Sequence, residues 1–326
     1  MFAQIRRHLQ GAVRPGIIAP CEQGANRVKA WETDKKQGLR IGAALVAVAV
    51  LIVVGLVILA ASRQVDIWTF IIGLAIVACL AVLGLLFFWL HGLARSGYAL
   101  DRNALVIRWG ATRQIIPTGQ IERVLAAADL EGPVRFRGGK WPGHCVGYGS
   151  VPGAGPALFY ATAPTGDQIL VVTPGLTYGI SPADPERFLK TLRQGQKMGP
   201  TRRVEQSSSR AGFLEWTIWQ DRFGLALLGV GFLAILILTG LLCLWYPNLP
   251  LHLTLHWDAA GAPDRWGGRG HLFFVPLLGW LAVLANAVLG SAVHRNERMA
   301  SYLLWGGSIV VQILVGGAAL GIVGQA

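Results

Sequence analysis

Five long apolar runs dominate the pattern of hydrophobic and polar positions along this chain. Each run contains about the 20 residues that a helix needs to cross a hydrocarbon core of roughly 30 Å. Tryptophans stand at or near the ends of the runs, where their amphipathic rings prefer the headgroup region. The pattern predicts an α-helical integral membrane protein with five spans: Ile41–Ala61, Ile67–Leu90, Phe223–Trp245, Leu272–Val293 and Tyr302–Val323.

Between the second and third runs, continuous apolar sequence changes to alternation and turns. The stretch YALDRNALVIRWG, 98–110, predicts a hairpin whose turn is the polar triplet DRN. RQIIP, PALFYATA, QILVVT and LTYGI follow as further strand-like pieces. SPADPERFLKTLRQG then predicts a helix that is capped by Ser181 or Asp184 and stopped by Gly195. The segment is therefore predicted to be an inserted α+β domain, a β-meander closed by a helix.

The distribution of basic residues predicts the topology. Several of them precede the first run, including Arg27, Lys29, Lys35, Lys36 and Arg40. The link to the second run carries only Arg63. The positive-inside rule therefore places the amino terminus in the cytoplasm and the carboxyl terminus outside. Arg265 and Arg269 are inconsistent with this topology, because their segment is predicted to lie outside.

The same pattern divides the chain into five parts. These are a basic cytoplasmic segment at 1–40, a two-helix membrane hairpin at 41–92, the cytoplasmic α+β domain at 95–195, a polar linker at 196–221 and a three-helix membrane domain at 222–326. No apolar core of signal-peptide length is visible before the first run, so insertion is expected to rely on that run.

Composition supports a membrane protein and disfavours other classes. Hydrophobic residues make up 53% of the chain and charged residues only 14%, whereas soluble domains carry about a quarter charged residues. Much of the positive charge behind the net charge of +12 flanks apolar runs. Basic residues in that position are typical of membrane orientation and lipid contact, so nucleic-acid binding is disfavoured. The four scattered cysteines indicate neither a disulfide framework nor a zinc site, and we expect no cofactor.

The segment LPLHLTLHWDAAGAPDRWGG, 249–268, concentrates histidines, aspartates and tryptophans between two spans. In an extended chain its leucines and Trp257 lie on one face, whereas the polar residues of 252–258 lie on the other. Gly261–Asp264 is predicted to form a turn. The candidate residues for ligand binding, or for a structural turn, are His252, His256, Trp257, Asp258, Gly261, Pro263, Asp264 and Trp266.

Two interpretations of this segment stay open. The imidazole and carboxylate groups of His252, His256, Asp258 and Asp264 suit a divalent metal. A metalloprotease motif would need a glutamate after His252, where Leu253 stands. In the other interpretation these groups cap an interfacial turn, with the carboxylate of Asp264 accepting backbone N–H groups or pairing with a neighbouring arginine. We predict the structural turn, with no metal and no enzyme activity.

The α+β domain carries basic residues that are candidates for contact with anionic lipid, because the domain is tethered to the bilayer at both ends. They are Arg95, Arg102, Arg135, Arg137 and Lys140. An ordinary solvated surface is the alternative interpretation. The glycine-rich stretches GPVRFRGGKW and GYGSVPG fit neither a phosphate loop nor a dinucleotide loop, and we predict flexible loops there. His144 beside Cys145 is not expected to be catalytic, since adjacent side chains of an extended chain point apart.

Two parts of the chain resemble known families. YALDRNALVIRWG, IIPTGQIERV and LVVTPGLTYGISPADPERFLKTL, in an order of strands followed by a helix, resemble a bacterial pleckstrin-homology-like (PH-like) domain. That resemblance implies a bent β-roll with its closing helix plugging one end. The P-x-x-P, HW and G-x-P-D-x-W-G pattern of 247–267 resembles the membrane domain of SdpI-type immunity proteins.

The resemblances imply a non-enzymatic protein of the bacterial cytoplasmic membrane. The immunity family implies sensing of, or protection against, extracellular peptides or envelope stress. The inserted PH-like domain suggests a cytoplasmic protein partner. The alternative is a small transporter or lipid-handling protein, with Asn286 and Gln312 as the main polar groups of the last three spans.

Overall fold

The computed structural model describes residues 29–202, 204–209, 217–257 and 263–324. The helices in this part are α1 (Lys36–Ala61), α2 (Ile67–Ala94), α3 (Pro185–Met198), α4 (Arg222–Trp245), α5 (Phe274–Val293) and α6 (Arg298–Val323). The strands are β1 (Lys29–Trp31), β2 (Gly97–Leu100), β3 (Ala104–Trp109), β4 (Thr112–Pro117), β5 (Arg123–Ala126), β6 (Arg135–Trp141), β7 (His144–Val151), β8 (Gly155–Ala161), β9 (Ile169–Val172), β10 (Thr177–Ile180), β11 (Ser207–Ser209), β12 (His252–Trp257) and β13 (Pro263–Gly268).

All the helices except α3 are long and apolar enough to cross a membrane. The prediction of a multi-pass membrane protein is therefore confirmed at this level. Helices α1 and α6 extend past their apolar runs, since α1 begins at Lys36 rather than Ile41 and α6 begins at Arg298 rather than Tyr302, whereas α5 begins at Phe274 rather than Leu272. Helical hydrogen bonding satisfies the backbone in polar sequence as well as in apolar sequence, so composition alone does not mark the ends.

The chain forms two compact units. One unit contains the sheet domain together with the part of α1 before Ile52 and the part of α2 from Ala81 onward. The other contains α4, α5 and α6 with the remaining parts of α1 and α2. Each unit has its own buried core.

The sheet domain lies between α2 and α4 in the sequence and contains two sheets. Their strand orders are β1-β2-β3-β4-β11 and β5-β9-β10-β8-β7-β6. The second sheet is not the predicted meander, because β10 lies between β9 and β8 and pairs parallel to β8. After β8 the chain skips one strand position, forms β9 and returns to fill the gap. Two sheets and one helix are consistent with a PH-like fold.

The glycine-rich stretches that were predicted to be loops form the hairpin of β6 and β7. The glycines permit a close approach of the two strands. A Cβ atom on Gly147 would lie 2.2 Å from the carbonyl oxygen of Arg137, and one on Gly149 would lie 1.8 Å from that of Arg135. The loop prediction is therefore wrong, since these glycines serve strand packing rather than flexibility.

Helix α3 begins at the predicted cap but ends later than predicted. The Asp184 carboxylate accepts the backbone N–H of Arg187 at 3.0 Å, whereas the Ser181 hydroxyl oxygen accepts the N–H of Thr162. Gly195 does not stop the helix, because one helical glycine costs only about 1 kcal/mol relative to alanine. The helix ends at Met198, where the following Gly199 has a φ of 67°.

The first sheet uses segments on both sides of the predicted 95–195 domain. β1 pairs antiparallel with β2, and β11 pairs antiparallel with β4. The serines of β11 belong to the stretch that was predicted to be a polar linker. Serine has no strong strand preference, so this strand forms because the edge of β4 is available for pairing.

The core of the sheet domain surrounds the inner face of α3. Phe188 and Leu192 of that helix are buried among side chains of both sheets, and the Trp31 ring packs edge-on against Phe188 at 5.4 Å. The Tyr98 hydroxyl donates to the carbonyl oxygen of Tyr160 at 2.7 Å. Burial raises the pKa of Tyr98 to about 12. Helix α3 thus closes the roll as the resemblance implied.

Candidate functional site

A β-hairpin occupies the segment between α4 and α5. Its strands β12 and β13 pair antiparallel. Residues 258–262, which include the predicted site residues Asp258 and Gly261, lie outside the described residues. Of the predicted turn, Pro263 and Asp264 belong to β13 instead, which pairs with β12. The other half of that turn lies outside the described residues.

The pairing of the hairpin is irregular around His256. Thr254 lies opposite Trp266, whereas His256 lies opposite Arg265, so β12 holds one extra residue between these pairs. A bulge of this kind disrupts the alternation of faces along a strand. Beyond Thr254 the predicted apolar and polar faces fall on side chains outside the described residues, so they stay a prediction.

Buried leucines fix the hairpin to the helices. Leu253 of β12 is buried in one core cluster with Leu249 and Leu272, beside residues of α4, α5 and α6. Leu251 was predicted to share the face of Leu253, but it is 70% exposed. Leu251 precedes the strand, so its side chain does not follow the strand alternation. The hairpin thus has one buried attachment at its base.

Arg269 provides a second attachment at the same place. Its guanidinium lies 4.6 Å from the ring centroid of Tyr246 and donates to the Tyr246 carbonyl oxygen at 3.4 Å. Its backbone N–H donates to the carbonyl oxygen of Leu251 at 2.9 Å. A cation is favourable at the carboxyl end of a helix such as α4. This local role accounts for one of the two arginines that were inconsistent with the predicted topology.

The outer part of the hairpin presents polar and aromatic groups. His252, Asp264 and Arg265 are exposed, and Trp266 is 63% exposed. The side chains of His256, Trp257 and Pro263 lie outside the described residues, so only their backbone positions are known. An exposed tryptophan on a fixed strand, next to charged groups, is typical of recognition surfaces.

The residues of the metal interpretation are only partly described. His252 and Asp264 are exposed on opposite strands, whereas Asp258 and the side chain of His256 lie outside the described residues. Within the described part of the chain, no three His, Cys, Asp or Glu side chains are close enough to hold a metal ion. The metal and the structural-turn interpretations both stay predictions.

The predicted lipid-contact residues divide into two groups. Arg102 donates from Nε to the carbonyl oxygen of Gly199 at 2.6 Å and from Nη2 to that of Met198 at 2.5 Å. It therefore satisfies the last carbonyl groups of α3, a structural role that its sequence neighbours do not reveal. The other members of the group are exposed: Arg95, Arg135, Arg137 and Lys140.

A polar cluster that the sequence analysis missed lies at the start of α4. The Asp221 Oδ1 accepts the backbone N–H groups of Phe223 and Gly224, both at 3.0 Å. Its Oδ2 accepts the hydroxyl of Tyr302 at 2.5 Å and lies 3.4 Å from the Nε2 of His294. The bond from Tyr302, followed by that from Gly224, lowers the pKa of Asp221.

His294 is buried beside this carboxylate, with 2% of its surface exposed. Its Nε2 is within ion-pair distance of Asp221, but neither ring nitrogen has a hydrogen bond within the described residues. The ring of Trp305 packs 5.3 Å away against Gly290, where a Cβ atom would lie 2.2 Å from the indole nitrogen. The side chains of His294 and Asp221 thus bring the end of α5 close to the start of α4.

The sequence contained a weak signal for this cluster. Asp221 lies two residues before the third apolar run, and His294 directly follows the fourth. Ionisable groups at the ends of spans are often functional or structural partners. Only the packing of α4, α5 and α6 brings these two residues together.

His144 of β7 is a second buried histidine. Its surroundings could not be predicted from the sequence. It is fully buried, and its ring stacks on Trp141 at 3.8 Å, with Trp109 and Trp89 at 5.7 and 6.1 Å. Burial lowers the pKa of His144 to about 4 and raises that of the neighbouring Cys145 thiol. An activated thiol would need a lowered pKa, so this pair has the environment of packed side chains.

Comparison with protein families adds two matches. Residues 96–196 match the model of the family described as Bacterial PH domain. Residues 233–279 match the family described as Domain of unknown function (DUF1648). No curated protein and no solved structure matches the chain.

The two matches correspond to the two resemblances in different ways. The first covers β2 to β10 and most of α3, so the chain contains a bacterial PH domain between membrane-type helices. The second covers the hairpin and the adjoining parts of α4 and α5. This match supports a domain of unknown function and not an SdpI-specific family, so the immunity role stays a proposal.

Proposed function

We propose that this protein senses, or protects the cell against, extracellular peptides or envelope stress through the β12–β13 hairpin. The observation that carries the proposal is an exposed tryptophan on a hairpin whose base is buried against the helices. Trp266 is largely exposed, whereas Leu253 of the paired strand is buried in the core of the helices. An exposed aromatic side chain on an anchored strand, beside charged groups, suits the binding of a peptide.

The proposed setting is the bacterial cytoplasmic membrane, with the amino terminus inside and the carboxyl terminus outside. The basic residues before α1 and the five apolar helices support this topology. In the same proposal the hairpin faces outward and the PH domain faces the cytoplasm, where it binds a protein partner. The protein acts without enzyme activity and without a cofactor.

The transport alternative depended on Asn286 and Gln312, and the geometry assigns one of them to packing. Gln312 is buried and donates from Nε2 to the carbonyl oxygen of Gly279 at 2.9 Å. This bond connects α6 to α5. The bond favours a helix-packing role for Gln312, so we retain the hairpin as the proposed site.

The test uses two tryptophans of similar exposure. Trp266 lies on the hairpin and is 63% exposed, whereas Trp68 lies at the start of α2 and is 59% exposed. Cells that produce the wild type, Trp266→Ala or Trp68→Ala are challenged with a cationic membrane-active peptide and, separately, with a neutral one. We expect Trp266→Ala to lose protection or the stress response, and Trp68→Ala to keep it.

Membrane fractions confirm equal amounts of each variant before survival is compared. Protection that is unchanged in Trp266→Ala, at equal abundance, would contradict the proposal. Equal loss in both variants would also contradict it, because the effect would then come from interfacial tryptophans in general.

A further inference from the structure

The strand β6 is the edge of its sheet, and its final residues pack against the ends of α1 and α2. A Cβ atom on Gly139 would lie 3.1 Å from the indole ring of Trp89 in α2. The indole N–H of Trp141 donates to the carbonyl oxygen of Gly38 in α1 at 3.1 Å. The direction and position of β6 are therefore fixed relative to these helix ends.

The contacted helix ends lie at the border of the apolar sequence. The apolar run of α2 ends at Leu90 and that of α1 begins at Ile41. Phe87, two residues before Trp89, is 70% exposed on the surface of α2. In a membrane such a side chain faces lipid, so Trp89 lies where hydrocarbon meets headgroups. Because Gly139 touches Trp89, the final residues of β6 lie at the level of the headgroups, and Arg137 is two residues away along the strand.

The two arginines of β6 lie on the face that touches the helices. The pairing with β7 is continuous from Arg135 to Trp141, so Arg135 and Arg137 share a face with Gly139. Phe136 lies on the opposite face and packs against Phe159 in the core at 5.6 Å. Both arginines are exposed, and neither forms an ion pair within the described residues.

We infer that the arginine face of β6 binds the headgroups of anionic phospholipids and holds the PH domain against the membrane surface. The inference rests on the membrane location proposed above and adds a binding surface to it. A guanidinium matches the oxygens of a phosphate group in a bidentate arrangement. Lys140 lies on the opposite face of the strand and does not contribute to this surface.

The experiment compares the full-length protein in nanodiscs of phosphatidylcholine with the same protein in nanodiscs that also contain phosphatidylglycerol. Amide hydrogen exchange is measured for the peptide that contains β6. We expect slower exchange with phosphatidylglycerol, and loss of this slowing in high salt. In the double variant Arg135→Gln with Arg137→Gln, we expect the slowing to disappear. Each arginine is expected to account for about a fivefold change in exchange rate, since a basic side chain at an anionic surface contributes about 1 kcal/mol.

Two control variants test whether the position of the removed charge matters, or only the loss of charge. Lys140→Gln removes a charge from the other face of β6, and Arg187→Gln with Lys190→Gln removes two exposed charges from α3. Both are expected to keep the slowing. Equal exchange in the two lipids, or equal loss in the α3 variant, would overturn the inference. Resistance of each variant to alkaline extraction from membranes tests the membrane location independently.

Discussion

The two buried histidines, His144 in the sheet domain and His294 at the end of α5, are excluded from water in different surroundings. No ring nitrogen of either has a hydrogen bond within the described residues. His144 is surrounded by tryptophan rings, whereas His294 lies 3.4 Å from the carboxylate of Asp221. Burial of the same residue type thus produces an apolar packing element in one unit and a polar contact between helices in the other.

This difference indicates how each region responds to change. The His144 environment opposes a charge on the ring, so protonation is expected to destabilise the sheet domain. His294 lies beside the carboxylate of Asp221, which also accepts a backbone N–H of α4 and the hydroxyl of Tyr302. Loss of this carboxylate is therefore expected to weaken the packing of the helices.

Removal of the Trp305 ring is expected to have the largest effect. Trp305 is fully buried beside His294 and Gly290, so Trp305→Ala leaves a cavity and costs about 3 to 5 kcal/mol. Thermal unfolding in detergent measures the loss. Leu303→Ala on the same helix is the control, since Leu303 is exposed. Equal losses for the two variants would show that the His294 cluster is not a packing centre.

The stability of the sheet domain is expected to fall as the pH is lowered from 6.5 towards 4. The pKa of His144 is about 4 in the folded protein and 6.5 ordinarily, so the unfolded chain binds the proton first. The contribution of His144 to the free energy of unfolding is therefore complete above pH 6.5. It is lost as the pH falls to 4, by about 3 kcal/mol in total. Hydrogen exchange of β7 in the full-length protein at several pH values measures it.

His144→Phe is expected to remove most of this pH dependence, because phenylalanine keeps a ring among the tryptophans without a titrating group. His91→Phe changes an exposed histidine of α2 and should leave the dependence intact. If the stability of the sheet domain depended on pH equally in the wild type and in His144→Phe, His144 would not be the titrating group.

Asp221→Asn is expected to have a smaller effect, about 1 to 2 kcal/mol. The variant keeps an oxygen that can cap α4 but loses the charge-assisted bond from Tyr302. A double-mutant cycle with Tyr302→Phe, followed by thermal unfolding, isolates this bond. Because the folded pKa of Asp221 is lowered, its contribution is present above the ordinary value of 3.8 and is lost as the pH falls below it. Additive effects of the two substitutions would exclude the coupling.

The smallest effect on stability is expected for Trp266→Ala, below about 0.5 kcal/mol, because an exposed side chain contributes little to folding. The same substitution is expected to abolish the proposed protective activity. Thermal unfolding of this variant beside the wild type measures the first expectation. A large loss of stability would mean that the hairpin serves the fold rather than recognition.

The fold was more predictable than the buried polar contacts. The apolar runs predicted the membrane helices, and the turn residues of 98–110 predicted the first hairpin of the sheet domain. Local pattern suffices where one face or one whole segment must avoid water. It failed at β11, where three serines pair with β4, because strand formation there depends on the edge of a sheet that the sequence does not display.

The candidate site was predictable only in its location. The concentration of histidine, aspartate and tryptophan in 249–268 marked the segment that forms the hairpin. The bulge beside His256 and the exposure of Leu251 were not predicted, because both depend on how β12 joins the helices. The sequence likewise did not show which basic residues are available to contact lipid. Arg102 binds carbonyl groups at the end of α3, whereas Arg137 is exposed.

Local hydrophobicity and turn chemistry specify the five membrane-type helices and the α+β domain between the second and third of the apolar runs. The PH-like character of that domain came from its resemblance to a known family. Tertiary packing brings Asp221 to His294 and Tyr302, and surrounds His144 with three tryptophans. These contacts join residues that are distant in the chain. Their existence depends on which helix and strand faces pack together, and no local pattern specifies that choice.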